Sequence, residues 1–348
     1  MDYAGLDYRN IRFSVDRSLT KIERKNQYSR NRKTNAKPTD FLSVIEINSN
    51  YIDLVDRWYS IKGFNTWLGA CVVLIGFSFA TMIAVAPFMT PIADEPGAMW
   101  FMLIFLLPVS LLLAWGGWWL IRTECGRYTH YPMRLNRKTG QVHFFRQNGT
   151  VLTVPWDSLF ITLGEAKSSL TGTTYDLRVH VLDLDGKTVR ESFSLGYPSI
   201  LGNAESIDRF WAFIQPYMEA HDGIERTWQH LKQKTGYLLP IEGRKEGWRW
   251  SIVQNYAWSG YWPWLQLIAS PVLGLNAIGR MIAMWSCKQP EWPAEVERES
   301  TIDVDDSYVL TWRDNGPLGW WELWYPLICT VLGIGTAIGI IGWMFYSI

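Results

Sequence analysis

Residues 63–93, GFNTWLGACVVLIGFSFATMIAVAPFMTPIA, and residues 96–121, PGAMWFMLIFLLPVSLLLAWGGWWLI, contain no Asp, Glu, Lys, Arg or His and are separated only by Asp94-Glu95. Each exceeds the roughly 20 residues that an α-helix needs to cross a hydrocarbon core about 30 Å thick. Gly63 to Ile121 is therefore expected to form a helical hairpin in a membrane. The link near Thr90 to Pro96 is so short that both helices emerge on the same side. Ion carriers and proton-driven motors need ionisable groups within their spans, so these runs read as an anchor more than a conduit.

Working outward, Arg57 and Lys62 precede the hairpin, and Arg122, Arg127 and Arg134 follow it. Basic flanks stay in the cytosol, which places both ends there and Asp94 and Glu95 on the other side. The first 60 residues are polar and hold no apolar signal-peptide core, so the first apolar run is expected to act as its own insertion signal. Net charge is zero over 348 residues. That average conceals 12 Lys/Arg against 8 Asp/Glu in residues 1–62, and 2 against 8 in residues 289–319. An N-terminal excess of only four positive charges is no nucleic-acid-binding face.

Many of the 21 Trp gather at the ends of apolar runs, among them Trp100, Trp118, Trp119, Trp262, Trp264, Trp285, Trp320, Trp321 and Trp324. Indole is apolar apart from one N–H, so it settles at the headgroup level. The four cysteines, Cys71, Cys125, Cys287 and Cys329, are widely spaced and give neither a disulfide framework nor a zinc pattern.

In chain order, Ile11, Phe13 and Val15 alternate like a short strand, and Tyr28 to Asp40 reads as a solvated linker. Ser49-Asn50 is expected to cap a lead-in helix carrying Ile52, Leu54, Val55, Trp58 and Tyr59. After the hairpin, short alternating runs are punctuated by turns at Thr139-Gly140, Asn148-Gly149 and Asp185-Gly186, the pattern of antiparallel strands. A helix then runs from about Ala204 through Met218. A sheet finished by one amphipathic helix is the layout of a pleckstrin-homology-like barrel or a similar small α+β roll. Residues 123–247 carry 15 Lys/Arg and 14 Asp/Glu, so a phosphoinositide pocket is not indicated and a protein-binding platform is.

Residues 251–279 lack charge but are interrupted by Trp, Pro and Asn, with basic residues on both flanks. They read as interfacial, re-entrant or spanning, and Arg280 at their end as a residue whose head snorkels to the surface. An acidic block follows, and residues 320–348 are long enough to span. The chain thus divides into a polar basic segment (1–48), lead-in helix and transmembrane hairpin (49–122), cytosolic β-rich domain ending in a helix (123–247), Trp-rich segment (248–288), acidic loop (289–319) and C-terminal transmembrane helix (320–348). The fold class is an α+β membrane protein.

Candidate partner-binding residues are Glu291, Trp292, Glu295, Glu297, Asp303, Asp305 and Asp306, an acidic stretch suited to a protein surface. Gly335, Gly339 and Gly342 form a small-residue face for helix packing, within the chain or against a second copy. The aspartates lack the glycine and distal glutamate of an EF-hand, and the five histidines have no ligand spacing, so no metal and no cofactor is expected. His143 and His180 sit in strand-like runs. No nucleophile motif or phosphate loop appears, and no enzyme is expected.

Five features occur together: the Tyr51 to Gly63 lead-in, the hairpin, the Arg134-Leu135-Asn136-Arg137-Lys138-Thr139-Gly140 turn, Val154-Pro155-Trp156-Asp157, and Pro290-Glu291-Trp292-Pro293. In that order they resemble a family of uncharacterised proteobacterial membrane proteins often encoded beside effectors of the type VI secretion system. The likeness covers Tyr51 to the C-terminus. It implies an inner-membrane immunity protein for a cognate secreted, membrane-active toxin. The alternative is a membrane-tethered scaffold or effector-loading accessory protein of that secretion system. The expected partners are the lipid bilayer and such a toxin or secretion-system protein.

Overall fold

The computed structural model describes residues 15–29, 36–89, 96–168, 172–199, 203–233, 238–241, 246–257 and 262–346. Asp94, Glu95, Ile11, Phe13 and Trp258 lie outside them. The chain forms two compact units, one of residues 1–60, 128–245 and 289–317, the other of residues 61–127, 246–288 and 318–348. The apolar runs are thus inserted in the chain between pieces of the first unit.

The elements of the N-terminal part are β1 (Arg17–Ser18), α1 (Lys21–Lys25), β2 (Val44–Ile47) and β3 (Tyr51–Leu54). The first apolar run is α2 (Phe64–Met89), and the second is α3 (Pro96–Phe101), a π-turn (Met102–Leu106) and α4 (Leu107–Glu124). Next come β4 (Met133–Asn136), β5 (Gln141–Phe145), β6 (Val151–Pro155), β7 (Leu159–Ser168), β8 (Gly172–Leu182), β9 (Thr188–Ser199), α5 (Glu205–Glu219) and α6 (Gly223–Gln233). The last are α7 (Gly247–Tyr256), α8 (Pro263–Ile268), α9 (Ser270–Ser286), α10 (Ala294–Glu299) and α11 (Tyr325–Tyr346).

The first unit is α+β, with two antiparallel sheets of order β2-β3-β4-β5-β6 and β1-β9-β8-β7. In the five-stranded sheet, Ile47, Ile52, Leu135, Val142 and Val154 stand opposite one another in a row. Side chains alternate across a strand, so one such row commits a whole face of the sheet to the core. Phe144 of this sheet stacks on Phe193 of the other, with ring centroids 4.1 Å apart. Helix α5 buries Ile207, Phe210, Trp211, Phe213, Ile214 and Tyr217 against the same core. The turns at Gly149 (φ +83°) and Gly186 (φ +62°) adopt the left-handed backbone that glycine tolerates. Beside them Asn148 accepts from the Thr150 amide, and Asp185 from the amides of Lys187 and Thr188.

Three expectations are corrected in this unit. The lead-in expected to be helical is strand β3, because Tyr51 to Leu54 is buried on both faces and pairs on both edges, with β2 and with β4. Asn48 caps the turn before it, accepting from the amides of Asn50 and Tyr51 at 2.9 Å. The ends of the expected solvated linker are core residues: Tyr28 packs on Trp211 and Asp40 is buried. The β region holds two sheets and a second helix, α6, where one helix was expected.

In the second unit, three helical stretches among the described residues are long and apolar enough to cross a membrane: Phe64–Ala86, Met99–Glu124 and Trp320–Ile340. Helices α2 and α4 approach closely at small residues, since a Cβ on Gly69 would lie 2.5 Å from the Gly117 carbonyl, and one on Gly76 2.6 Å from the Ala114 amide nitrogen. Glu124 closes the base of the pair. Its carboxylate accepts from the amides of Gly63, Asn65 and Thr66 and from the Thr66 hydroxyl, satisfying donors that the start of α2 leaves unpaired. The π-turn precedes Pro108, whose missing N–H disturbs the helical ladder there.

The 251–279 stretch is broken into α7, α8 and α9 instead of forming one long helix. Arg280 does not snorkel: it is fully buried, with Nε donating to Glu246 Oε1 at 2.6 Å and Nη2 to Oε2 at 3.2 Å. A partner brought from a distant point in the chain makes burial of the guanidinium tolerable. Within the chain, another glycine of α11 makes the close approach. Gly333 meets Ser270, whereas a Cβ on Gly335, Gly339 or Gly342 would find nothing among the described residues within 4 Å.

Candidate binding site

The apolar row of the five-stranded sheet has a polar counterpart. Glu46 stands opposite Asp53, Asp53 opposite Arg134, Arg134 opposite His143, and His143 opposite Thr153. One polar residue per strand, in register across five strands, puts a continuous polar row on the face turned from the core. Each strand shows this residue in sequence, but only the register joins them.

Arg134 is the centre of the row. Its Nε donates to Asp53 Oδ1 at 2.8 Å and its Nη2 to Oδ2 at 2.7 Å, a forked geometry that lysine cannot reproduce. The guanidinium carbon lies 3.9 Å from the Tyr51 ring centroid and 5.1 Å from that of Trp292, so aromatic faces stabilise the same charge. Asp53 raises the pKa of Arg134 further, against the effect of burial. Burial, then the charge of Asp53, pushes the Glu46 carboxyl up, although Glu46 accepts from the Tyr51 hydroxyl at 2.8 Å. Burial lowers the pKa of His143, whose Nδ1 pairs with Thr153 Oγ1 at 2.9 Å.

The acidic stretch is the lid of this row. Residues 289–317 cross the sheet and are tied to it: Asn136 donates to the Glu299 carbonyl, Asn50 to the Thr301 carbonyl, and the Ser49 amide to Asp306 at 2.8 Å. Leu310 exchanges backbone hydrogen bonds with Ile47, adding a short edge to β2. Trp292 lies against the His143 and Phe145 rings, at 6.3 and 6.0 Å between centroids.

Between sheet and lid is a cavity of about 320 Å³, lined by Glu46, Asp53, His130, Arg134, Glu291, Trp292, Glu297 and Trp312 among others. Its size is at the lower end of small-ligand pockets. Two of the lining residues carry a donor that is sealed from solvent and meets no hydrogen-bond acceptor among the described residues, Arg134 Nη1 and Trp312 Nε1. Each such donor costs about 1–3 kcal/mol when left unmet. Glu297 Oε1 is 3.8 Å from Arg134 Nη1, near enough for charge attraction but beyond a hydrogen bond.

Of the residues singled out in sequence, the structure brings Glu291, Trp292 and Glu297 to this cavity. Glu295 is exposed on α10, and Asp303 and Asp305 are exposed in the following turns. Asp306 has a structural task. Despite partial burial, hydrogen bonds from Ser49 and Tyr308 hold its carboxyl below the usual range. No group of three or more His, Cys, Asp or Glu among the described residues is placed to hold a metal. Glu46, Asp53, Arg134 and Trp312 were not singled out as site residues in sequence. The signal available was a single charged residue inside each of three apolar strands.

A serine–histidine–carboxylate line also occurs. Ser192 Oγ is 2.7 Å from His180 Nδ1, and His180 Nε2 is 3.3 Å from Glu23 Oε1. Ser192 and His180 are fully buried, so no substrate carbonyl reaches the hydroxyl, and the arrangement holds β8, β9 and α1 together.

Residues 110–303, more than half of the chain, match a family described as a family of unknown function, DUF6708. The chain belongs to the DUF6708 family. No curated protein and no solved structure matches it. The DUF6708 match includes His130, Arg134, Trp292 and Glu297 of the cavity, whereas Glu46, Asp53 and Trp312 come from outside the matched residues.

Proposed function

We propose that the protein is a membrane-anchored, non-catalytic binding protein that acts as an inner-membrane immunity protein, neutralising a cognate secreted toxin of the type VI system. The observation that carries the binding part is the walled cavity that the acidic stretch builds over the polar row. A segment of eight acidic residues folded onto a sheet is a recognition surface held in one shape. The toxin part rests on the resemblance to proteins encoded beside such effectors. The two sheets closed by α5 favour reading the first unit as a pleckstrin-homology-like roll used as a protein-binding platform.

Membrane residence is supported by three apolar helical stretches with Trp100, Trp118, Trp119, Trp320, Trp321 and Trp324 exposed on them. Residues 128–245 and 289–317 belong to one folded unit, so in this reading they share one side of the bilayer. The hairpin then crosses twice, residues 246–288 enter and leave by the same face, and α11 crosses once. The basic flanks of the hairpin put the shared side in the cytosol. Reporters inserted at Asp185-Gly186 and at Asp305-Asp306 are expected to report the same compartment, and opposite compartments would sink this topology.

Co-expression with the toxin encoded beside it tests the immunity role. Cells carrying the protein are expected to survive, and equal killing with and without it removes the proposal. The scaffold alternative predicts instead that secretion components are recovered with the detergent-solubilised protein in cells lacking the toxin gene.

A further inference from the structure

We propose that Cys125 and Cys287 form a peroxide-sensitive dithiol that closes to a disulfide and staples the end of α4 to the end of α9. This goes beyond the proposed binding role and does not rest on it. Both residues belong to the second unit, and they hold the same position in their helices: Cys125 is the C-cap of α4 and Cys287 the C-cap of α9. Cys287 Sγ donates to the Glu124 carbonyl at 3.1 Å, and that carbonyl belongs to the peptide bond leading into Cys125. A planar trans peptide keeps this oxygen close to the next Cα, so the Cys287 sulfur lies within about 6 Å of the Cys125 Cα. One residue further along, the Lys288 amide donates to the Arg127 carbonyl at 2.7 Å, which pins the chains leaving the two helices side by side. A disulfide needs Cα atoms roughly 4.4–6.8 Å apart, and these two ties bring the backbones close to that range.

The surroundings give the two sulfurs different tasks. Cys125 is half-buried, with Thr66 Oγ1 3.7 Å from its sulfur, whereas Cys287 is fully buried. Burial pushes the Cys287 thiol up, against the Lys62 amino group that hydrogen-bonds it. The thiolate is the nucleophile, so the first attack falls to Cys125. Its sulfur attacks one peroxide oxygen, the O–O bond breaks, an alcohol or water leaves, and Cys125 becomes a sulfenic acid. The Cys287 sulfur needs no access to solvent for the second step. It displaces hydroxide from the Cys125 sulfur, its own proton leaves with that hydroxide as water, and the two thiols have passed two electrons to the peroxide. Capping alone does not account for sulfur here, since a serine hydroxyl is the stronger donor to the Glu124 carbonyl. With no group of three His, Cys, Asp or Glu placed to hold a metal among the described residues, the pair suits a bond between its sulfurs.

The test treats the full-length protein in detergent micelles with hydrogen peroxide, blocks the remaining thiols with N-ethylmaleimide under denaturing conditions, and reads non-reducing digests by mass spectrometry. The expected product is one linked peptide pair, Cys125 with Cys287, lighter by about 2 Da than the two thiol peptides and undone by dithiothreitol. Two of the four thiols are thus lost, while Cys71 and Cys329, inside apolar helical stretches, are recovered blocked. Cys287→Ser keeps a donor for the Glu124 carbonyl but removes the second sulfur, so Cys125 is expected to stop at the sulfenic acid and to take up at least about fivefold more dimedone than in the unaltered chain. Cys125 left unmodified, oxidised to a sulfinic acid without a linked peptide in the unaltered chain, or joined to any cysteine but Cys287 overturns the proposal. Equal dimedone labelling with and without the Cys287 sulfur does the same. The linked peptide is read on the unaltered chain, so it decides the matter even where Cys287→Ser does not fold.

Discussion

Asp53 and Arg134 offer the sharpest test of how the polar row is built. Both side chains are nearly buried, at 9% and 5% exposure, and they face each other directly across β3 and β4. Replacing Asp53 by Leu leaves a guanidinium in the sheet with all its nearest acceptors removed except Glu297 at 3.8 Å. Removing one partner of a buried pair costs about 3–5 kcal/mol. Arg134→Met leaves Asp53 beside Glu46 with no cation between them, so that change is expected to cost a similar or slightly smaller amount. In the double variant no buried charge is stranded, and an apolar pair of similar volume is often neutral within about 1 kcal/mol. The two single losses therefore sum to far more than the double loss, with a coupling of about 2 kcal/mol or more. Pulse proteolysis of the detergent-solubilised protein across a urea series reads the stability of the first unit. A double variant whose loss equals the sum of the singles would refute the claim that the pair acts as one unit.

Acidification is expected to weaken the first unit. Burial opposes ionisation of Glu23, but His180 and Arg17 hold its carboxyl well below the ordinary range, so its stabilisation is present above the unfolded value of about 4.3 and lost as pH falls. Burial lowers the pKa of His180, so the unfolded chain binds a proton first below about 6.5 and stability falls in the same direction. The urea midpoint is thus expected to decline below about pH 6.5 through His180 and further below about pH 4.3 through Glu23, the second step being absent in Glu23→Gln, and a flat profile contradicts the reading. Gly69→Leu is expected to separate α2 from α4 and lower folded yield, while Gly335→Leu is tolerated within one chain; size-exclusion profiles in detergent compare them. Arg280→Lys keeps the charge but loses the forked bond to Glu246, and is expected to lower the thermal midpoint less than Arg280→Ala, which strands Glu246.

Much of the local structure is legible along the chain. Apolar runs longer than a bilayer core mark the long helices, Asn148-Gly149 and Asp185-Gly186 mark hairpin turns, and the apolar face of α5 marks its helix. The lead-in is ambiguous along the chain because Asn50 to Tyr59 fits a helical stripe and a strand equally well over so few residues. Pairing with β4, far along the chain beyond the hairpin, decides for the strand.

By itself, the sequence determines what depends on neighbours in the chain: hydropathy over a helix length, alternation over a strand, and glycine where the backbone turns left-handed. Tertiary structure alone decides what depends on register and long loops. Glu46, Asp53, Arg134, His143 and Thr153 become one row only when five strands align. The acidic stretch becomes a lid only when the Ser49 amide meets Asp306, 257 residues away. Arg280 is buried, not surface-seeking, because Glu246 meets it. The physical reason is common to all three: a charge or a hydrogen-bonding group takes its role from its partner, and the fold supplies the partner.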